Sequence, residues 1–296
     1  MVYEYALDPQ LLANPKDFRY FFEKFGVARG RLIARLPSRW RKAVLDVIEA
    51  SGDWKQVEKH AIKERILHLE KNAVVARAHE WSEPGWLKNV LAEHARKPFR
   101  AILAAGEAVD HPDLLRGEVV YEMDDPRWFV ETSTSIDRTA QAMAACGTLL
   151  LRAAREVVFV DRNFRPDKPQ WRAPLRAFLC CLADRPDLRH IRRAEYHTHN
   201  EPRNRRPGFS AEDYQQELRS VVPDGVQLGI VAWPWETLHN RYILTDIGGI
   251  QFGWGLDEAP GKRDQTNLLS ESVWRELWSH HSERTSFCSI GRKPGG

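Results

Sequence analysis

The chain of 296 residues carries 44 Lys and Arg against 41 Asp and Glu, a net charge of +3 that is too close to zero to select a partner by itself. A hydrophobic content of 43%, with 11 Trp, 12 Phe and 7 Tyr, fills a real core and excludes a mainly disordered chain, and the length suits two domains of ordinary size. No run approaches the ~20 apolar residues of a membrane-spanning helix, no charged start leads into an apolar stretch, and Cys146, Cys180, Cys181 and Cys288 lack zinc-ligand spacing, so the expected setting is reducing and cytoplasmic.

From Phe18 to about Arg100 the apolar spacing predicts helices: residues 39–50 behind a Ser38 cap, a long amphipathic run over 57–78, and 86–96 after Ser82. Between Arg19 and Lys42 eight basic residues meet one acid, Glu23, and alternate with Phe, Tyr and Trp. That mixture fits either a nucleic-acid-binding surface or a solvated face above a helical core. Turn signals at His111-Pro112-Asp113, Gly117 and Asp124-Asp125-Pro126 place a junction between 103 and 130. The expected division is a mainly helical N-terminal domain over 1–120 and an α/β domain over 121–296.

After residue 130 helix and strand alternate: helix 136–155, strand 157–160, helix 171–182, strand 191–197, helix 211–221, strand 226–232 and a last helix over 270–280. This predicts a mixed sheet flanked by helices. The loop from Arg189 to Arg206 carries Arg189, Arg192, Arg193, Arg203, Arg205 and Arg206 against Glu195 and Glu201, which suits a polyanion. Strand 191–197 ends in Glu195-Tyr196-His197-Thr198-His199, so Glu195, His197, Arg192 and Arg193 are candidate substrate-binding residues. His197 and His199 share a face but give only two ligands, and no metal is expected there.

Between Pro234 and Gly255 two apolar runs read as a hairpin, with His239-Asn240-Arg241 opening the first and Asp246 closing it. Alternation along a strand would turn His239 and Arg241 to one face, a nucleophile beside a phosphate clamp. This spacing resembles the signature of the phospholipase D superfamily, His-x-Lys, four residues, then Asp, followed by a Gly-rich segment with Ser and Asn. Arg241 stands where the family has Lys, and Gly253-Trp254-Gly255-Leu256 where it has Ser and Asn, with Asp257 next.

The resemblance covers the C-terminal half. It implies a phospholipase D-like mixed sheet and a metal-independent phosphodiesterase, expected here to be a nuclease, that needs no cofactor. In that scheme His239 attacks phosphorus, Arg241 steadies the phosphorane oxygens and Asp246 is an orienting carboxylate, with Asp257 lining the site. Family enzymes pair two His-x-Lys units, and this chain has one, since His94-Ala95-Arg96 has Ala101 where Asp would stand. A homodimer would supply the second. Two alternatives stay open: a catalytically degenerate module that binds nucleic acid or phospholipid, and a subunit of a larger assembly.

Overall fold

The computed structural model describes residues 1–106, 110–116, 120, 125–185, 191–201 and 208–291. Gly117, Asp124, Arg189, Arg203, Arg205 and Arg206 lie outside the described residues. The chain forms two compact units, Met1–Glu131 and Thr132–Gly296. Among the described residues no helix is long and apolar enough to cross a membrane.

The first unit is α/β rather than mainly helical. Its strands β1 (Tyr3–Leu7), β2 (Arg31–Ala34), β3 (Val74–Val75), β4 (Ala101–Ala104) and β5 (Leu114–Arg116) form a parallel sheet in the order β3-β2-β1-β4-β5. The helices between them are α1 (Pro15–Lys24), α2 (Trp40–Ala50), α3 (Gln56–Ala73) and α4 (Trp86–Arg96). The helical expectation fails because these strands are short and buried on both faces, as in Ala101–Ala104, so they show no alternation.

Within the basic stretch, Phe21, Phe25 and Trp40 belong to one buried cluster with Phe18, Tyr5, Leu7 and Ile33. Arg19, Arg41 and Lys42 pair with Glu58, Glu70 and Asp46, and Arg31 lies over Trp128 at 4.3 Å. These aromatics are therefore core, each contributing about 1.5–3 kcal/mol of burial, and three of the eight cations serve neighbouring acids.

The second unit holds an eight-stranded mixed sheet in the order β13-β9-β8-β7-β10-β11-β12-β6. Its strands are β6 (Ser133–Asp137), β7 (Glu156–Val160), β8 (Arg193–His199), β9 (Gln227–Trp233), β10 (Arg241–Thr245), β11 (Gly248–Phe252), β12 (Arg263–Leu268) and β13 (Cys288–Gly291). Helices α5 (Ala140–Ala153), α6 (Pro169–Ala183), α7 (Ala211–Leu218) and α8 (Glu271–Ser282) accompany it. β7, β8 and β9 run parallel, whereas β10 runs against β7 and begins where β7 ends, with Tyr242 opposite Val160. One edge of the sheet therefore collects the C-terminal ends of β7, β8 and β9, the start of β10 and the end of β11.

Candidate functional site

β7 is an apolar run, Val157-Val158-Phe159-Val160, closed by Asp161. The Asp161 carboxylate is fully buried and accepts backbone N–H bonds from Asn163 (2.9 Å) and Leu256 (2.9 Å). Burial pushes its pKa up to about 6; the two N–H donors and Arg241 oppose the rise, and Asp257 adds to it. Arg241 opens β10 on the same face, its Nε 3.8 Å from Asp161, while its Nη1 donates to the His239 carbonyl at 3.0 Å. Arg138, the residue before the Thr139 cap of α5, is buried and pairs with Asp257.

The loop after β11 passes close to these side chains at Gly255. A Cβ on Gly255 would meet a carboxylate oxygen of Asp257, Asp161 at 3.2 Å and Arg138 at 3.6 Å. Its backbone is stitched down on both sides. Buried Asp264 accepts the N–H groups of Gly253 (3.0 Å) and Trp254 (3.1 Å), and the N–H groups of Glu258 and Ala259 donate to the carbonyls of Gln170 (2.8 Å) and Arg138 (2.9 Å).

Two further groups share the edge. Arg162 lies over the Trp235 ring at 4.4 Å, and His199, at the end of β8, meets the same ring edge-on at 5.0 Å. Arg138, Arg162 and Arg241 each keep a buried Nε without a hydrogen-bond partner, and so does the Nε2 of His199. Arg31, Arg35, Arg100, Arg152 and Arg193 share this feature elsewhere, so it is the grouping at one sheet edge that marks these residues. The arrangement offers guanidinium donors to an oxyanion at a sheet edge where ligands of α/β folds collect. Among the described residues no three His, Cys, Asp or Glu side chains assemble as a metal site.

The sequence-predicted residues divide into three groups. Arg241 and Asp257 are brought to this edge with Asp161. His239 is there too, but exposed and outside the strand: a turn from Pro234 to Thr237 and buried Leu238 precede it, and pairing with β11 begins only at Arg241 opposite Phe252. The alternation that was to align His239 with Arg241 therefore does not extend to it.

Asp246, Arg192 and Arg193 sit at the opposite edge. Asp246 lies beyond the far end of β10 and accepts the N–H groups of Arg155 (2.9 Å) and Glu156 (3.2 Å) at the start of β7. Exposed Arg192 donates its backbone N–H to the Arg155 carbonyl. At ~3.3 Å per residue a five-residue strand separates these groups from the His239 edge by roughly 15 Å. Asp246 thus anchors a strand end.

Glu195 and His197 are mid-strand on the face opposite to Asp161 and Arg241, covered by α8. His197 is fully buried, with Nε2 3.0 Å from Glu195 and Nδ1 3.1 Å from the Trp233 indole N–H that donates to it and 3.0 Å from His281. Arg193 Nε lies 3.1 Å from Glu195 and its Nη atoms donate to the carbonyls of Ser282 (2.6 Å) and His281 (3.1 Å), tying the end of α8 to β8. Burial holds the pKa of His197 down, and takes His281 down to about 3 with help from His197. These residues form a neutral, packed polar network and do not line the site, because β8 runs two residues further than expected, to His199.

Asp161, Arg138 and Arg162 were not singled out by sequence, whereas His199 was named with the strand end that it closes. A signal existed for the first: an acid closing an apolar strand marks a carboxyl-end site in α/β sheets. Arg138 had none, since only the fold returns it from the far side strand to Asp257.

No protein-family profile matches the chain, and none of the curated proteins does. Among solved structures the chain is similar to TrmBL2, described as an archaeal chromatin protein with a novel mode of DNA binding, with 10% identity, a TM-score of 0.29, and coverage of 81% of this chain and 69% of that one. At that TM-score the likeness fixes neither fold nor function.

Proposed function

We propose that the second unit is a phospholipase D-like module that binds a phosphodiester of nucleic acid at this edge. The observation that carries the reading is the Arg241 guanidinium beside the buried Asp161 carboxylate, with the Arg138–Asp257 pair against the same loop and Arg162 stacked on Trp235 nearby at the sheet edge. A phosphate oxygen would take the place of a carboxylate on such a guanidinium, and Arg is suited to that geometry. The motif spacing and its place across a hairpin support the phospholipase D-like assignment.

Hydrolysis is the second reading, favoured by His239 standing next to Arg241 at the same edge. In it the His239 imidazole attacks phosphorus to give a phosphohistidine, and His239 of a second copy protonates the leaving oxygen and later activates water. The polar groups that family enzymes place in the Gly253–Leu256 segment are missing here, which is why binding comes first.

Purified protein titrated with labelled single- and double-stranded DNA and RNA over a salt series tests both readings. Binding that weakens with salt and falls in Arg241→Ala and Arg162→Ala supports the module. Cleavage that survives EDTA and disappears in His239→Ala makes it an enzyme. Absence of binding to every oligonucleotide, with retention on vesicles of anionic phospholipid, rejects a nucleic-acid partner.

A further inference from the structure

We infer that Trp254 is a stacking platform for an unpaired base, so that the module prefers single-stranded nucleic acid; this rests on the phosphodiester reading above. Trp254 is 69% exposed, the most exposed tryptophan among the described residues. Its indole makes no ring, cation or hydrogen-bond contact there, in contrast to Trp235, whose face is covered by Arg162. A large aromatic left in water by a loose loop would need no explanation. This loop is not loose.

Asp264, 1% exposed, accepts the N–H groups of Gly253 and of Trp254 itself, and Gly253 also donates to the Gln265 carbonyl at 3.1 Å. A buried carboxylate thus fixes the backbone of a residue whose large apolar side chain stays in solvent. A Cβ on the next residue, Gly255, would meet Asp161, Asp257 and Arg138. The residue after that, Leu256, donates its backbone N–H to Asp161 at 2.9 Å, and Phe252, two residues before Trp254, is paired with Arg241. An exposed, pre-positioned indole therefore borders the proposed phosphate site, and a backbone held by the arginines would bring its own base within reach of that ring. Rigid aromatics beside a cationic track are how proteins hold single strands without reading sequence. In a duplex the base face is already covered by its neighbours.

The test uses the full chain with three probes of equal length: a single-stranded DNA, the same strand with abasic sites, and the duplex. Wild type should bind the base-bearing single strand tighter than the abasic one by roughly 5- to 150-fold, the range for one stacked base. Trp254→Ala should abolish that ratio, Trp254→Phe should retain part of it, and Arg241→Ala should weaken all three probes alike. Trp254 is exposed, so thermal melting should be unchanged in its variants. If wild type binds single-stranded and abasic strands equally, or if Trp254→Ala keeps the ratio, the stacking role is overturned while phosphate binding stands. If no oligonucleotide binds, both fall, and Trp254-dependent retention on anionic phospholipid vesicles would assign the indole to a membrane surface instead.

Discussion

Replacing Asp161 with Asn separates the electrostatic role of this carboxylate from its role as a hydrogen-bond acceptor. Burial raises its pKa from 3.8 to about 6. The unfolded chain therefore releases the proton near 3.8 and the folded chain only near 6. Between those values the native state holds more protons, so its stability falls as pH rises through that window, by ~3 kcal/mol at about 1.4 kcal/mol per pH unit. Asn does not titrate, and this slope disappears in Asp161→Asn. The substitution has its own fixed cost. Asn offers one acceptor oxygen where Asp161 serves two buried N–H groups, Asn163 and Leu256, and the lost bond costs about 1–3 kcal/mol. The variant should thus be clearly less stable than wild type near pH 4 and recover most or all of the difference near pH 7. Urea unfolding of both full-length proteins from about pH 4 to pH 8, with the difference plotted against pH, reads this directly. A flat difference, or one that grows with pH, would refute a buried carboxylate that resists ionisation.

Gly255→Val places side-chain atoms against Asp257, Asp161 and Arg138, so oligonucleotide affinity should fall at least tenfold and stability by about 1–3 kcal/mol; affinity and melting measured together would show it. Asp246→Ala removes the acceptor for two N–H groups at the start of β7 and should cost about 1–3 kcal/mol in urea unfolding while leaving oligonucleotide affinity within twofold, since Asp246 is at the far edge. His281 has a folded pKa near 3, below the unfolded value of 6.5, so the stability it contributes is present above pH 6.5 and lost as pH falls toward 3. His281→Phe should flatten that acid loss, seen as a smaller drop in urea midpoint between about pH 7 and pH 4.5 than in wild type.

The α/β alternation of the second unit was legible because its strands sit between helices of clear period, and Arg241 and Asp257 could be placed from one motif. The first unit's sheet was not. Its strands are at most five residues long, and Tyr3–Leu7 and Ala101–Ala104 are apolar runs that a buried helix segment could equally supply. β6 failed for the opposite reason: Ser133–Asp137 is a polar edge strand whose last residues look like the start of the α5 helix. At the site, spacing located the hairpin but not its first hydrogen-bonded pair, so His239 was put on a strand that starts two residues later. Glu195 and His197 were assigned to the edge because β8 was ended two residues early. A slip of that size moves a side chain from a sheet end into the interior, where a histidine with both nitrogens engaged holds a helix in place.

Charge decides when the edge holds a phosphodiester best. Arg138 and Arg241 bring two positive charges, and Asp161 and Asp257 offset both once ionised. As pH falls through about 6, Asp161 takes up its proton and leaves Arg241 without its counter-charge. The edge then gains a net positive charge, which favours a bound anion. Phosphate and Asp161 thus compete for one guanidinium, so bound phosphodiester should itself raise the Asp161 pKa, and affinity should rise as pH drops through the same interval. The carboxylate that positions Arg241 in the empty site is also what limits its hold on a ligand.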